Sequence, residues 1–448
     1  MQIKSVTVGG FKNLKRTKIN LERMVVLISL NNFGKSNLLE AINFGIDFLT
    51  ASNKLRKSMM GWTKGIPLTP GLAFEDFLFE IEFDEPSLDK YRYVRYGFSF
   101  SWFKDDGTGL KIVNEWLESR KNESVRYSSF IKRNEGKYRK GYSTQAHRKV
   151  LLETSQLAID VLSAIENIEI SDVIKSIQKL RYQTCISLDL QDRFVPPPFE
   201  FVTGKDDSCI DFDDDDIPQA LFLLKKNYPE KFNLFREAVF TLFPEFSEIS
   251  LQAFELKKDP TEQMSVYITT NESGKKIDVE NDDETLPFKI KEELYRLIIK
   301  SDYLNQPINA SLMSAGTKRI IWLLANVFIS GCSGTSLLGI EELETSIHPK
   351  LLRQLLEIII ESQEDTSIIA SSHSPFLVQY LKPHQVYLGI PDVGTATFRR
   401  IADSKSKGLS VSARNLGVST GEYLFELMAG DSDSANILGQ YLEEPIYE

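Results

Sequence analysis

Residues 31–37 (Asn31, Asn32, Phe33, Gly34, Lys35, Ser36 and Asn37) place a glycine, a cation and a hydroxyl at consecutive positions. An apolar run precedes them and a helical pattern follows. The arrangement is nearly G-x-x-x-x-G-K-[ST], in which backbone N–H groups cradle phosphate oxygens at a helix N-terminus. Gly34 lets the backbone approach closely, Lys35 supplies a cation for the β- and γ-phosphates, and Ser36 supplies a hydroxyl for Mg2+. Ser29 stands where the first glycine of the pattern belongs. A small residue can still make that turn if its φ stays negative, so the match is weakened without being lost.

Three further stretches carry complementary groups. SLLGIEELE (336–344) reads as a buried strand ending in Glu341 and Glu342, at the carboxyl edge where open α/β sheets bind ligands. One carboxylate there can join a magnesium shell, and the next can orient or activate an attacking water. SLMSAGTKR (311–319) is a Ser/Ala/Gly turn opening a helix, with amides suited to an anion. IIASSHSPFLV (368–378) is another buried strand, with Ser371, Ser372 and His373 at its end.

These groups need elements to hold them, and the chain is long enough to supply a large core. It has 448 residues, 42% hydrophobic and 26% charged, as expected for two or three globular domains. The net charge of -10 rules out a general polyanion binder, so any nucleic-acid contact has to come from a local basic patch. Cys185, Cys209 and Cys332 are scattered, with no zinc or disulfide spacing, which favours a reducing, cytoplasmic compartment. The N-terminus carries Lys4 early and no apolar run long enough for a signal peptide. Residues 320–340 carry no charge, but SGCSGTS in their middle is a turn composition. We read a buried helix to about Phe328, a loop, and a buried strand at 337–340, with no membrane span.

Residues 2–30 show three strand patterns, and a helix is expected from Lys35 to about Leu49. Residues 77–103 alternate and are rich in Phe and Tyr, as half-buried antiparallel strands are, and the β pattern continues to about Arg133. From residue 147 helical periodicity dominates, and α/β alternation returns near 300. The expected organisation is a first lobe at 1–146, a helical insert at 147–299 and a second lobe at 300–448.

The order of these stretches, with the opening IKSVTVGGFKNL, resembles the ATP-binding-cassette (ABC) ATPases of the SMC, RecF and OLD type. The likeness is carried by about residues 1–50 and 300–400. It implies an α/β fold: an ABC-type P-loop ATPase head, with a parallel core sheet, an antiparallel β flank and an inserted helical subdomain. It also implies ATP and Mg2+ as substrate and cofactor. Residue by residue, Lys35 and Ser36 would bind phosphate and magnesium. Met313–Thr317 would be the signature, through which Ser314 and Gly316 contact the γ-phosphate bound by the opposite subunit. Glu341 takes the usual aspartate position at the metal, Glu342 that of the catalytic base, and His373 that of the switch histidine. Residues 344–348 would form the dimer-contacting D-loop. Gln145 and Gln183 are candidates for the Q-loop glutamine. Ser29 for glycine, Glu341 for aspartate and Leu343 for a proline often found there depart from the pattern, and bear on hydrolysis rate more than on ATP binding.

The resemblance implies self-association, as an ATP-sandwich dimer or higher oligomer. Its first functional expectation is the sensor or regulator of a bacterial anti-phage defence system that controls a separate effector, such as a nuclease or toxin. A RecF-like DNA-repair ATPase and a slowly or non-hydrolysing nucleotide-dependent scaffold are the alternatives. DNA binding would use residues 120–140, where Lys and Arg are interleaved with Tyr127, Phe130 and Tyr138; the other reading is the exposed face of an antiparallel hairpin. The acidic run 206–216 reads as a solvated loop rather than a metal site. GDSDS (430–434) is similar to the D-x-D of the Toprim nuclease that OLD proteins carry, but reads here as a helix-end loop, so no nuclease is expected in this chain.

Overall fold

A run that is apolar at every position needs cover on both faces, whereas an alternating run needs it on one. MVVLI at 24–28 is buried throughout, and FLFEIEFD at 77–84 is buried mainly at alternate positions. They belong to different sheets. The structure is a computed structural model. It describes residues 1–31, 33–104, 106–134, 137–140, 152–163, 170–186, 193–195, 198–201, 216–255, 266–268, 275–277, 288–363, 365–392 and 394–444. Residues 1–187 with 330–448 form one compact unit, and residues 188–329 form another.

In chain order the first unit contains β1 (Gln2–Gly9), β2 (Thr17–Asn20), β3 (Met24–Ile28), helix α1 (Lys35–Thr50), β4 (Phe77–Asp84), β5 (Tyr93–Ser101), β6 (Lys111–Arg120), β7 (Ser128–Asn134), β8 (Lys137–Lys140), β9 (Tyr182–Cys185), β10 (Leu337–Ile340), helix α2 (Pro349–Ser362), β11 (Ser367–Ser372), β12 (Val386–Asp392) and β13 (Thr395–Arg400). The antiparallel sheet runs β2-β1-β4-β5-β6-β7-β8. The second sheet runs β13-β12-β3-β11-β10-β9 and is parallel except for the β12–β13 hairpin. The four central parallel strands β12, β3, β11 and β10 put their carboxyl ends along one edge, which is where the loop before α1 begins.

Aromatic packing fixes α1 against the antiparallel sheet. Phe48 stacks on Phe100 with ring centroids 4.8 Å apart, and Phe44 meets Phe77 edge-on at 5.1 Å. Such pairs add about 0.5–1.5 kcal/mol beyond their buried area. A buried polar cluster ties this flank together. Glu115 on β6 accepts from the N–H groups of Ala158 and Ile159 and from the Tyr96 hydroxyl, and faces Arg133 on β7 at 3.8 Å.

The expected insert at 147–299 does not coincide with a compact unit. Residues 158–163 and 171–178 are helical, but β9 follows and pairs in parallel with β10, so the first unit continues to residue 187. The second unit is not purely helical either. Helices Ile217–Asn227 and Pro229–Leu242 are followed by the antiparallel strands Phe246–Glu255 and Glu293–Ser301. Most positions of Phe246–Glu255 are exposed, so no clean two-residue alternation marked it as a strand. Asp216, the last residue of the acidic run, caps the first of these helices and pairs with Lys291 at 2.6 Å; residues 206–215 lie outside the described residues.

Helix Ala315–Ser330 ends in a turn before β10, as the SGCSGTS composition requires, and among the described residues no helix is long and apolar enough to cross a membrane. Asp431 of the GDSDS stretch caps helix Ser432–Gly439, accepting from the Ser434 N–H.

Candidate functional site

The loop between β3 and α1 turns left-handed at Gly34, with φ 83°. That conformation favours glycine, and a Cβ there would also lie tightly against the Ala396 Cβ, at 3.0 Å. Asn31 is exposed at the turn, Phe33 is half-buried, Asn37 donates to Asn13 Oδ1 at 2.8 Å, and Asn32 lies outside the described residues.

Lys35 is only 5% exposed. Its Nζ donates to the carbonyl oxygens of Ser29 at 2.9 Å and Leu30 at 3.1 Å, and to Ser29 Oγ at 3.0 Å. The serine in the glycine position is therefore a ligand of the loop's lysine. Ser29 itself keeps a negative φ. Room for its side chain comes from the neighbouring strand: a Cβ on Gly389 of β12 would lie 2.8 Å from the Ser29 Cβ. The glycine missing from the loop is matched by one on β12. Gly389→Ala should overpack this contact, which typically costs about 1–3 kcal/mol, and weaken ATP binding roughly tenfold. Adding Ser29→Gly should restore most of the loss; a double mutant no better than Gly389→Ala in a nucleotide titration contradicts the coupling.

Glu341 and Glu342 follow β10 directly. The Ser36 hydroxyl hydrogen-bonds to the Glu341 carboxylate, and burial raises the Glu341 pKa above the ordinary carboxylate value despite that bond. A hydroxyl and a partly desolvated carboxylate in contact are oxygen ligands suited to Mg2+, so these residues fit the metal. Among the described residues no cluster of three or more His, Cys, Asp or Glu could hold a metal alone. Glu342 has φ 46°, a left-handed conformation that costs a non-glycine residue about 1–3 kcal/mol. Its N–H donates to Ser371 Oγ at 3.1 Å, and Thr345 Oγ1 donates to its carboxylate at 3.0 Å.

His373, just past β11, places Nδ1 3.2 Å from Lys35 Nζ. Burial, and then the Lys35 charge, hold the imidazole below its usual pKa, so it is neutral at pH 7. An ammonium offers only donors, so Nδ1 accepts in this contact and the ring proton sits on Nε2. Burial lowers Lys35 to about 8, opposed by the charges of Glu344 and Glu342. The charged amine is the form that binds phosphate. ATP affinity should hold at neutral pH and fall as pH rises through about 8, where the free site must take up a proton to bind. A nucleotide titration that stays flat to about pH 9 contradicts the Lys35 contact.

Lys35, Ser36, Glu341, Glu342 and His373 thus meet at one edge of the core sheet. Ser314 and Gly316 lie in the second unit, at the start of helix Ala315–Ser330, where Ser314 Oγ accepts from the Thr317 N–H at 3.2 Å as an N-cap does. Gln183 is set apart from this edge: Thr335 Oγ1 donates to its side chain at the amino end of β10. Gln145 lies outside the described residues. Sequence reasoning missed Gly389, which has no local signature; it placed Ser371 at a strand end and Glu344 in the turn at 344–348 but not their contacts with Glu342 and His373.

Only part of the basic stretch is an exposed charged face: Lys121 and Arg126 are exposed, whereas other members of it turn inward. Arg133 is 3% exposed, pairs with Glu115 and donates to the Gln156 and Glu153 carbonyls. Tyr127 lies between Arg95 and Arg120, 4.3 and 4.4 Å from the two guanidiniums, and Phe130 is buried edge-on against Tyr91. Lys132 remains exposed; the Tyr138 side chain lies outside the described ones.

This sheet, loop and carboxyl edge define a P-loop head with the fold of an SMC head. The family profile described as "AAA domain, putative AbiEii toxin, Type IV TA system" matches residues 24–379, more than half of the chain, and the chain belongs to that family. An SMC head crystallised with the C-winged helix domain of ScpA is similar over 91% of this chain and 100% of that one, with 14% identity and a TM-score of 0.50. The SMC head domain from Thermotoga maritima matches over 90% of this chain and 100% of that one (10% identity, TM-score 0.43). An Smc head with an extended coiled coil, bound to the C-terminal domain of ScpA derived from Pyrococcus furiosus, matches over 92% and 99% (13% identity, TM-score 0.46). At these identities the likeness is one of fold. No curated protein matches the sequence.

Proposed function

We propose that this chain binds and hydrolyses ATP as a dimer and, in a bacterial anti-phage defence system, regulates a separate effector. The observation that carries the enzymatic reading is the convergence of Lys35, the Ser36–Glu341 pair, Glu342 and His373 at the carboxyl edge of the core sheet. The family description, which names a toxin of a type IV toxin–antitoxin system, supports the defence setting.

In this reading Lys35 binds the β- and γ-phosphates, and the amides that open α1 complete the anion site. Ser36 and Glu341 hold Mg2+, which neutralises phosphate charge when bound. Glu342 orients the attacking water and takes its proton, and neutral His373 donates from Nε2 toward the phosphate. Ser314 and Gly316 of a second copy close over the nucleotide. Because ATP binds the closed arrangement best, it shifts the population toward it, and hydrolysis releases it.

Subunit mixing tests the dimer. Ser314→Arg blocks closure and Lys35→Ala disables the loop, so each variant alone should be inactive. A mixed dimer keeps one intact composite site only if loop and signature come from different chains. Phosphate release from the mixture should exceed the sum of the two variants; a mixture equal to their average contradicts the trans geometry.

A further inference from the structure

The turn after β10 carries a third carboxylate whose placement the function above does not use. Glu344 turns inward: its Oε1 accepts from the backbone N–H of His373 at 2.6 Å. Its Oε2 is buried and has no hydrogen-bond partner among the described residues. Glu344 lies between two left-handed non-glycine residues, Glu342 at φ 46° and Ser346 at φ 64°. Relaxing either would swing the carboxylate away, so the strained turn is what aims it.

A bland explanation is that Glu344 staples the turn to β11. The turn is already stapled without it. Leu343 N–H donates to the Ser371 carbonyl at 3.1 Å, Glu342 N–H donates to Ser371 Oγ at 3.1 Å, and Thr345 N–H donates to the Glu342 carbonyl at 3.0 Å. The Glu344 bond acts instead on His373, the residue whose ring touches Lys35. A carboxylate accepting from a backbone amide makes a charge-assisted bond, stronger and more directional than a neutral one.

We propose that Glu344 is a positioning residue for the switch histidine: from the turn that follows the catalytic base, its carboxylate fixes the His373 backbone and so sets the imidazole against Lys35. Residues 342–344 and 371–373 then move as one body. Any displacement of the turn, for example when a second copy packs on it, is transmitted to the imidazole and the phosphate-binding amine together. This rests on the ATPase reading proposed above, but the Glu344–His373 contact can be tested separately.

The experiment compares Glu344→Ala and Glu344→Gln with wild type. Gln keeps an acceptor for the amide; Ala removes it. Selective 15N-histidine labelling gives only four backbone signals, because the chain has four histidines, and His373→Gln identifies the one of interest. Glu344→Ala should move the His373 amide signal upfield and lower kcat about tenfold, while ATP affinity stays within about threefold. Glu344→Gln should recover most of the kcat lost in the alanine variant. A purely structural role would instead lower melting temperature and ATP affinity together, without rescue by Gln. The proposal is overturned if the His373 signal does not move in Glu344→Ala, or if it moves and kcat stays within about twofold. Should Glu344→Ala not fold, Glu344→Gln decides through the same signal: an amide shifted toward a weaker, neutral bond supports the contact, and an unmoved one overturns it. If the wild type releases no phosphate, the ATPase reading fails, and the amide signal still decides whether Glu344 holds His373.

Discussion

Glu342→Gln should bind ATP with wild-type affinity and release phosphate about 10²–10⁴-fold more slowly, the usual contribution of a positioned general base. In the proposed mechanism the carboxylate acts on the attacking water in the transition state, so removing its basicity should leave ground-state binding almost untouched. The backbone that aims it is independent of the side-chain charge: the Glu342 amide stays on Ser371 Oγ, and a glutamine can still accept from Thr345. A chain that binds but does not turn over should accumulate as an ATP-bound closed dimer, visible as a nucleotide-dependent doubling of mass in light scattering. Loss of ATP affinity in parallel with turnover contradicts the assignment of Glu342 as base.

Lys35→Ala should weaken ATP binding by roughly ten- to a hundredfold, because a charge-assisted contact is worth about 1.5–3 kcal/mol. The effect on the empty loop also matters. Lys35 Nζ joins the Ser29 and Leu30 carbonyls and Ser29 Oγ, so its loss removes three contacts that hold the loop together. A lower melting temperature should accompany the affinity loss. Unchanged ATP affinity in a direct titration contradicts the loop assignment.

The parts that were legible in the sequence are those whose signal is local. A short, mostly apolar run bounded by turn residues reads as a strand buried on both faces, and β3, β10 and β11 are fully buried. Alternating Phe and Tyr marked β4 and β5, and a glycine-lysine-serine turn between strand and helix marked the loop. The parts that were not legible depend on partners far away in the chain. Whether Ser29 is tolerated is decided by Gly389, which no pattern near residue 29 announces. Strand β9 has a single fully buried residue, Cys185, and takes its place at the sheet edge through pairing with β10, so helical periodicity around it won the reading. Arg133 follows exposed Lys132, and a two-residue period sends it inward to Glu115, its cross-strand neighbour; composition alone counts both as surface charge. The inward turn of Glu344 depends on φ at Glu342 and Ser346, which residue types in that stretch would not suggest.

The most direct test of the central claim is phosphate release from purified wild-type protein with Mg2+ and ATP, measured beside Glu342→Gln in the same preparation and with nucleotide binding titrated in parallel. The account predicts saturable binding of one ATP per chain and release well above the Glu342→Gln background, alone or with the proposed effector. Saturable binding with release no higher than that background would contradict hydrolysis and leave a nucleotide-locked scaffold; absence of binding would contradict the site itself.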